Sequence, residues 1–81
     1  MLDPVIVGKV IQQSREKKGL SQEVVSGLAD IGRTHLSAIE RGQRKPTLET
    51  LFRLADALNI PASTIIMEIE KEIRRTENAT Q

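Results

Sequence analysis

The chain has no cysteine, no tryptophan and no tyrosine, and only one phenylalanine among its 81 residues. Without cysteine there is no disulfide framework, no thiolate metal site and no thiol nucleophile. A single histidine, His35, leaves imidazole chemistry short of parts. Asp30 and Glu40 lie near it in sequence, but no nucleophile completes a triad. The sequence therefore predicts no enzyme, no metal, no cofactor and no small-molecule ligand. Missing Tyr and Trp also remove most of the platforms on which single-stranded RNA stacks. No apolar run approaches the ~18 residues of a membrane span. The N-terminus lacks the basic region, apolar core and cleavage site of a signal peptide. The expected location is the cytoplasm, with no membrane attachment. No stretch alternates apolar and polar residues as a half-buried strand would.

What is present is ordinary for a folded helical domain: 38% hydrophobic and 28% charged residues. A globule of this size buries only about two-thirds of its unfolded surface, so one small core must hold it. The net charge of +1 hides an uneven distribution. Residues 9–53 carry +4 and residues 54–81 carry −2. A basic body with an acidic tail is compatible with a polyanionic partner, though many inert domains share it.

Helical spacing runs throughout. Val7, Val10, Ile11 and Ser14 predict a helix over about 5–18, ended by Lys18-Gly19. Ser21 is a suitable N-cap for a helix over 22–29, which contains Gly27 at a cost of ~1 kcal/mol relative to alanine. Asp30-Ile31-Gly32 breaks the chain before a helix over 33–41, and Gly42 stops that one. Thr47 caps a helix over 48–59, and Pro61 opens one over 62–75. The expectation is a single all-α domain over residues 1–75, with a frayed tail over 76–81. Two short helices across a three-residue break have helix-turn-helix geometry, in which the second helix offers side chains to a DNA groove. A helical hairpin in any small bundle reads the same way.

The ordered stretches Arg15-Glu16-Lys17-Lys18-Gly19-Leu20-Ser21-Gln22-Glu23, Leu36-Ser37-Ala38-Ile39-Glu40-Arg41-Gly42 and Arg44-Lys45-Pro46-Thr47-Leu48-Glu49-Thr50-Leu51 narrow the choice. From Gly8 to Ile66 the chain resembles the helix-turn-helix domain of the phage Cro/repressor-like, XRE-type regulators. Asp30, Arg33-Thr34-His35-Leu36-Ser37 and Asn59-Ile60-Pro61-Ala62-Ser63-Thr64 resemble the controller proteins of restriction-modification systems. Three positions depart from the family pattern: Ser26 for the usual alanine, Asp30 for the frequent glycine, and Gly32 for the usual Ser or Thr cap. The resemblance implies a compact five-helix lambda-repressor-like DNA-binding domain in a bacterial or phage, nucleoid-associated transcriptional regulator. It places Arg33, Thr34, Ser37 and Ala38 at base edges. It places Gln22, His35, Arg41, Arg44 and Lys45 along the backbone or in the minor groove. It pairs Arg15 with Glu40 as a structural salt bridge.

An isoleucine stripe on the last helix (Ile66, Ile69, Ile73) is longer than a four-helix core needs. Phe52 points away from Leu51, Leu54, Ala55 and Leu58. Together these four residues predict a homodimer interface, so that two copies read a palindromic double-stranded operator. If the last helix folds back instead, Ile69 and Ile73 complete the monomer core. The surface acids Glu23 and Glu49 raise a contact with RNA polymerase. The rival reading is a helix-turn-helix antitoxin or a regulator acting mainly through a protein partner, although residues 76–81 are short for a toxin-wrapping segment.

Overall fold

The computed structural model describes residues 2–79. Five α-helices follow in order, α1 (Pro4–Lys17), α2 (Gln22–Ala29), α3 (Arg33–Glu40), α4 (Leu48–Ala57) and α5 (Ala62–Ala79), with no strand among the described residues. The fold is all-α.

Side chains immediately before three of the helices start them. Asp3 Oδ1 accepts the Val5 N–H at 2.9 Å, with Pro4 at the first helical position, where its missing N–H costs nothing. Ser21 Oγ accepts the Val24 N–H at 3.1 Å, and Thr47 Oγ1 accepts the Thr50 N–H at 3.1 Å. The ends are set by left-handed residues. Gly42 (φ 74°) closes α3 and Asn59 (φ 56°) closes α4. The turns that satisfy the last carbonyls, Gln43 N–H to Ala38 O and Ile60 N–H to Ala55 O, both 3.0 Å, begin inside the predicted spans. The helices predicted to reach 41 and 59 therefore stop at Glu40 and Ala57.

All five helices feed one core. Its fully enclosed members are Ile11 from α1, Val25 from α2, Leu36 and Ile39 from α3, Leu54 and Leu58 from α4 and its cap, and Ile65 from α5. Gly8 allows α1 to cross α3 at backbone contact. A Cβ there would lie 2.8 Å from the Glu40 carbonyl oxygen and closer still to that of Ile39.

α5 departs from its expected bounds and packing. The tail predicted to fray from residue 76 is helical through Ala79, while residues 80 and 81 lie outside the described residues. Lys9 of α1 bonds Glu72 at 3.0 Å, and Arg75 bonds the same carboxylate oxygen at 2.7 Å. The hydrogen bond from Arg75, then that from Lys9, holds the Glu72 carboxyl below its ordinary value. Of the residues assigned to the interface, Ile69 is withdrawn because the monomer already buries it, while Ile73 is half-buried. Ile69 is 6% exposed within the monomer core, and Ile73 packs against that core. The helix folds back along α1, which supplies the apolar surface that a four-helix count omits.

Candidate nucleic-acid interface

α2 and α3 meet across Asp30, which adopts the left-handed conformation (φ 56°, ψ 46°) and sends its N–H back to Gly27. A short polar side chain tolerates that conformation better than a β-branched one. Ser26, 4% exposed, turns its hydroxyl onto the Glu23 carbonyl at 3.2 Å, so the small buried side chain leaves no polar atom unmet. Gly32 provides no side-chain cap to α3. Thus the first N–H groups of α3 are unclaimed by a cap, and the positive end of the helix dipole points outward beside Arg33.

The residues assigned to base reading share the outer side of α3. Arg33 and Thr34 are exposed, and Ser37 and Ala38 are half-buried. Gln22, Arg33, Thr34, Ser37 and Arg41 line a shallow depression of about 250 Å³. Arg44 and Lys45 are exposed in the loop that follows, and His35 is half-buried on the flank.

Beneath this surface lies a polar hub. Glu40, 7% exposed, accepts Arg15 Nε at 2.7 Å and Arg15 Nη2 at 2.9 Å in a forked contact. Arg15 Nη1 donates to the Leu20 carbonyl at 2.8 Å. The bond to Glu40 holds the Arg15 proton more tightly than an ordinary guanidinium would, against the opposing effect of burial. Gln22 Nε2 donates to Glu40 Oε1 at 2.9 Å. Glu40 and Arg15 together thereby tie α1, the α1–α2 loop, the start of α2 and the end of α3. The Gln22 assignment is narrowed accordingly: one amide hydrogen is committed internally, leaving the other for an outside acceptor. Arg41 is engaged too, with Nη1 donating to Ser37 Oγ and Nη2 to Gln43 Oε1 at 3.1 Å. The residue sequence alone gives no reason to link Gln22 to Glu40 or Gln43 to Arg41. Both links depend on how α2 and the α3 cap are placed in space.

A different surface lies on α4 and α5. Phe52 and Ile66 are 53% and 41% exposed, and Leu48 and Met67, absent from the predicted interface, are 70% and 54% exposed. Leu48 stands one turn before Phe52 on α4, a spacing that could have found it.

The fold, the paired short helices and the basic outer side of α3 define a helix-turn-helix protein. A helix-turn-helix family profile matches residues 11–65. The chain is 42% identical over 55 residues to the uncharacterized HTH-type transcriptional regulator y4dJ of Sinorhizobium fredii, covering 68% of this chain and 71% of that one. It is 38% identical over 64 residues to the control protein C.MunI of a Mycoplasma species, covering 79% and 86%. Among solved structures it superposes on the restriction-modification controller protein C.AhdI of Aeromonas hydrophila with a TM-score of 0.76 and 35% identity, covering 80% of this chain and 98% of that one. The chain belongs to the helix-turn-helix family of transcriptional regulators that includes the restriction-modification controller proteins.

Proposed function

We propose that the protein is a sequence-specific regulator of transcription that binds a palindromic duplex operator as a homodimer, laying α3 in the major groove. The carrying observation is the outward row on α3. Arg33 and Thr34 project freely at the helix start, Ser37 and Ala38 follow one turn on, and none of the four belongs to the buried core. Arg33 has the fork for guanine O6 and N7, a contact worth about 1–3 kcal/mol of discrimination. Thr34 offers a methyl or a hydroxyl, and Ala38 a methyl face for thymine. Arg44, Lys45 and the free amide hydrogen of Gln22 are suited to phosphates, with His35 at the edge and Arg44 placed to sense the adjoining minor groove. Leu48, Phe52, Ile66 and Met67 supply an apolar face for the second copy. A two-fold pair would set its α3 helices one DNA turn apart, ~34 Å.

Selection of bound sequences from a random duplex library, followed by titration with the winning site, tests this reading. The expected product is a palindrome bound by two chains. Its affinity should fall steeply between 50 and 200 mM salt, with a log–log slope near −7 for about eight phosphate contacts. No enriched sequence together with a flat salt response would refute it.

A further inference from the structure

Two serines of this domain use their hydroxyls in opposite ways. Ser26, inside α2, donates its proton to a carbonyl of its own helix. Ser37, on the outer side of α3, accepts from the Arg41 guanidinium, and no acceptor for its own proton stands among the described residues. A serine hydroxyl has one proton and two lone pairs, whereas a guanidinium has only donors. With Arg41 on a lone pair, and its positive charge repelling the hydroxyl dipole's positive end, the Ser37 proton is turned away from Arg41. Gln43 Oε1, holding the other branch of the guanidinium at 3.1 Å, fixes the fork across the end of the helix. Both residues line the depression that also holds Arg33 and Thr34.

We infer that Arg41 is a positioning residue that gives Ser37 a fixed polarity, so that Ser37 reads its base as a hydrogen-bond donor. This rests on the proposed placement of α3 in the major groove. A free serine hydroxyl is indifferent, because it can donate to an acceptor or accept from an amino group. A hydroxyl held by a guanidinium favours the acceptors of the groove, N7 and O6 of guanine, N7 of adenine and O4 of thymine. It disfavours cytosine, which presents only its N4 amino donor there. Arg41 thus contributes specificity at a base it does not touch, besides adding its charge to the basic surface.

The test compares base preferences, measured as relative affinities over all single substitutions of the selected operator, for the wild type, Ser37→Ala, Arg41→Ala and the double variant. Circular dichroism verifies that each is folded; both side chains lie outside the core. Loss of one net hydrogen bond corresponds to about a fivefold change in preference. Ser37→Ala should lose about fivefold discrimination against cytosine in one column of each half-site. Arg41→Ala should lose it in that same column, together with an even loss of affinity on all sequences. In the Ser37→Ala background, Arg41→Ala should produce the even loss alone. An Arg41→Ala preference matrix identical in shape to that of the wild type would overturn the inference and leave Arg41 as a plain phosphate-side charge. A Ser37→Ala matrix unchanged in every column would overturn it too, by removing Ser37 from the reading face. Both results leave operator binding intact and are therefore distinct from failure of the wild type to select any sequence, which would defeat the DNA-binding proposal itself.

Discussion

On α3 and the turn after it most outward side chains are polar, and three are tied to one another, Arg41 to Ser37 and to Gln43. On α4 and α5 the outward side chains Leu48, Phe52, Ile66 and Met67 are apolar, and more than 40% of each is exposed. The first surface lies over a buried carboxylate that bonds Arg15 and Gln22, and it suits a partner whose charge and hydrogen-bonding edges must be read in register. The second offers area without direction; in the proposed homodimer, burial there would supply the free energy and symmetry the register. The contrast shows why net charge was a poor guide to this molecule. The two surfaces differ in how each is constrained from beneath.

The largest effect should come from removing that constraint. Glu40→Ala leaves the Arg15 guanidinium, whose side chain is 11% exposed, without its counter-charge. The expected loss is about 3–5 kcal/mol of folding stability, a large part of a small domain's margin. Urea denaturation should show it, and operator binding should disappear with the fold. Retained stability with selective loss of binding would move Glu40 from the scaffold to the reading surface.

An intermediate effect separates two isoleucine-stripe positions that look equivalent in sequence. Ile69→Ala should cost about 2–4 kcal/mol because it opens a cavity in the monomer core. Ile66→Asp combined with Phe52→Asp should leave helicity unchanged and shift sedimentation from dimer to monomer. A folded dimer from that double variant would place the self-association surface elsewhere.

The smallest effect is a gain. A Cβ on Gly27 meets nothing within 4 Å, and its φ is not positive. Gly27→Ala should therefore stabilise the chain by about 0.5–1 kcal/mol, read as a rise in thermal midpoint. No gain would show that α2 tightens at this position in a way the free backbone does not reveal.

Features that act over a few residues were legible in the sequence. Ser21 and Thr47 announce helix starts because a hydroxyl reaches an N–H three positions on. The left-handed break at Asp30 is likewise a local event. What escaped were consequences of distance along the chain. Lys9 and Glu72 stand 63 residues apart, and their contact ties α5 to α1. The apolar stripe announced that Ile69 and Ile73 must be covered, but periodicity cannot distinguish α1 from a second molecule as the cover. The close crossing at Gly8 was hidden for a related reason: a glycine is silent about which carbonyls approach it. In the site, the residue types pointed to α3, while the internal commitments of Gln22, Ser37 and Arg41 emerged only with the side chains in place.

The position of Glu40 at the last residue of α3 has an evolutionary consequence. The helix is fastened from its far end and from its inner side chains, Leu36 and Ile39. Arg33 and Thr34, at the near end, fasten nothing. If α3 reads an operator as proposed, mutations there would alter the preferred sequence at little cost to folding, so a duplicated gene could acquire a new target in a few steps while its scaffold stays under purifying selection. Ser37 is less free, since a change there also strands a branch of Arg41. Target drift in such a lineage should begin at residues 33 and 34 and reach residue 37 later, in company with residue 41.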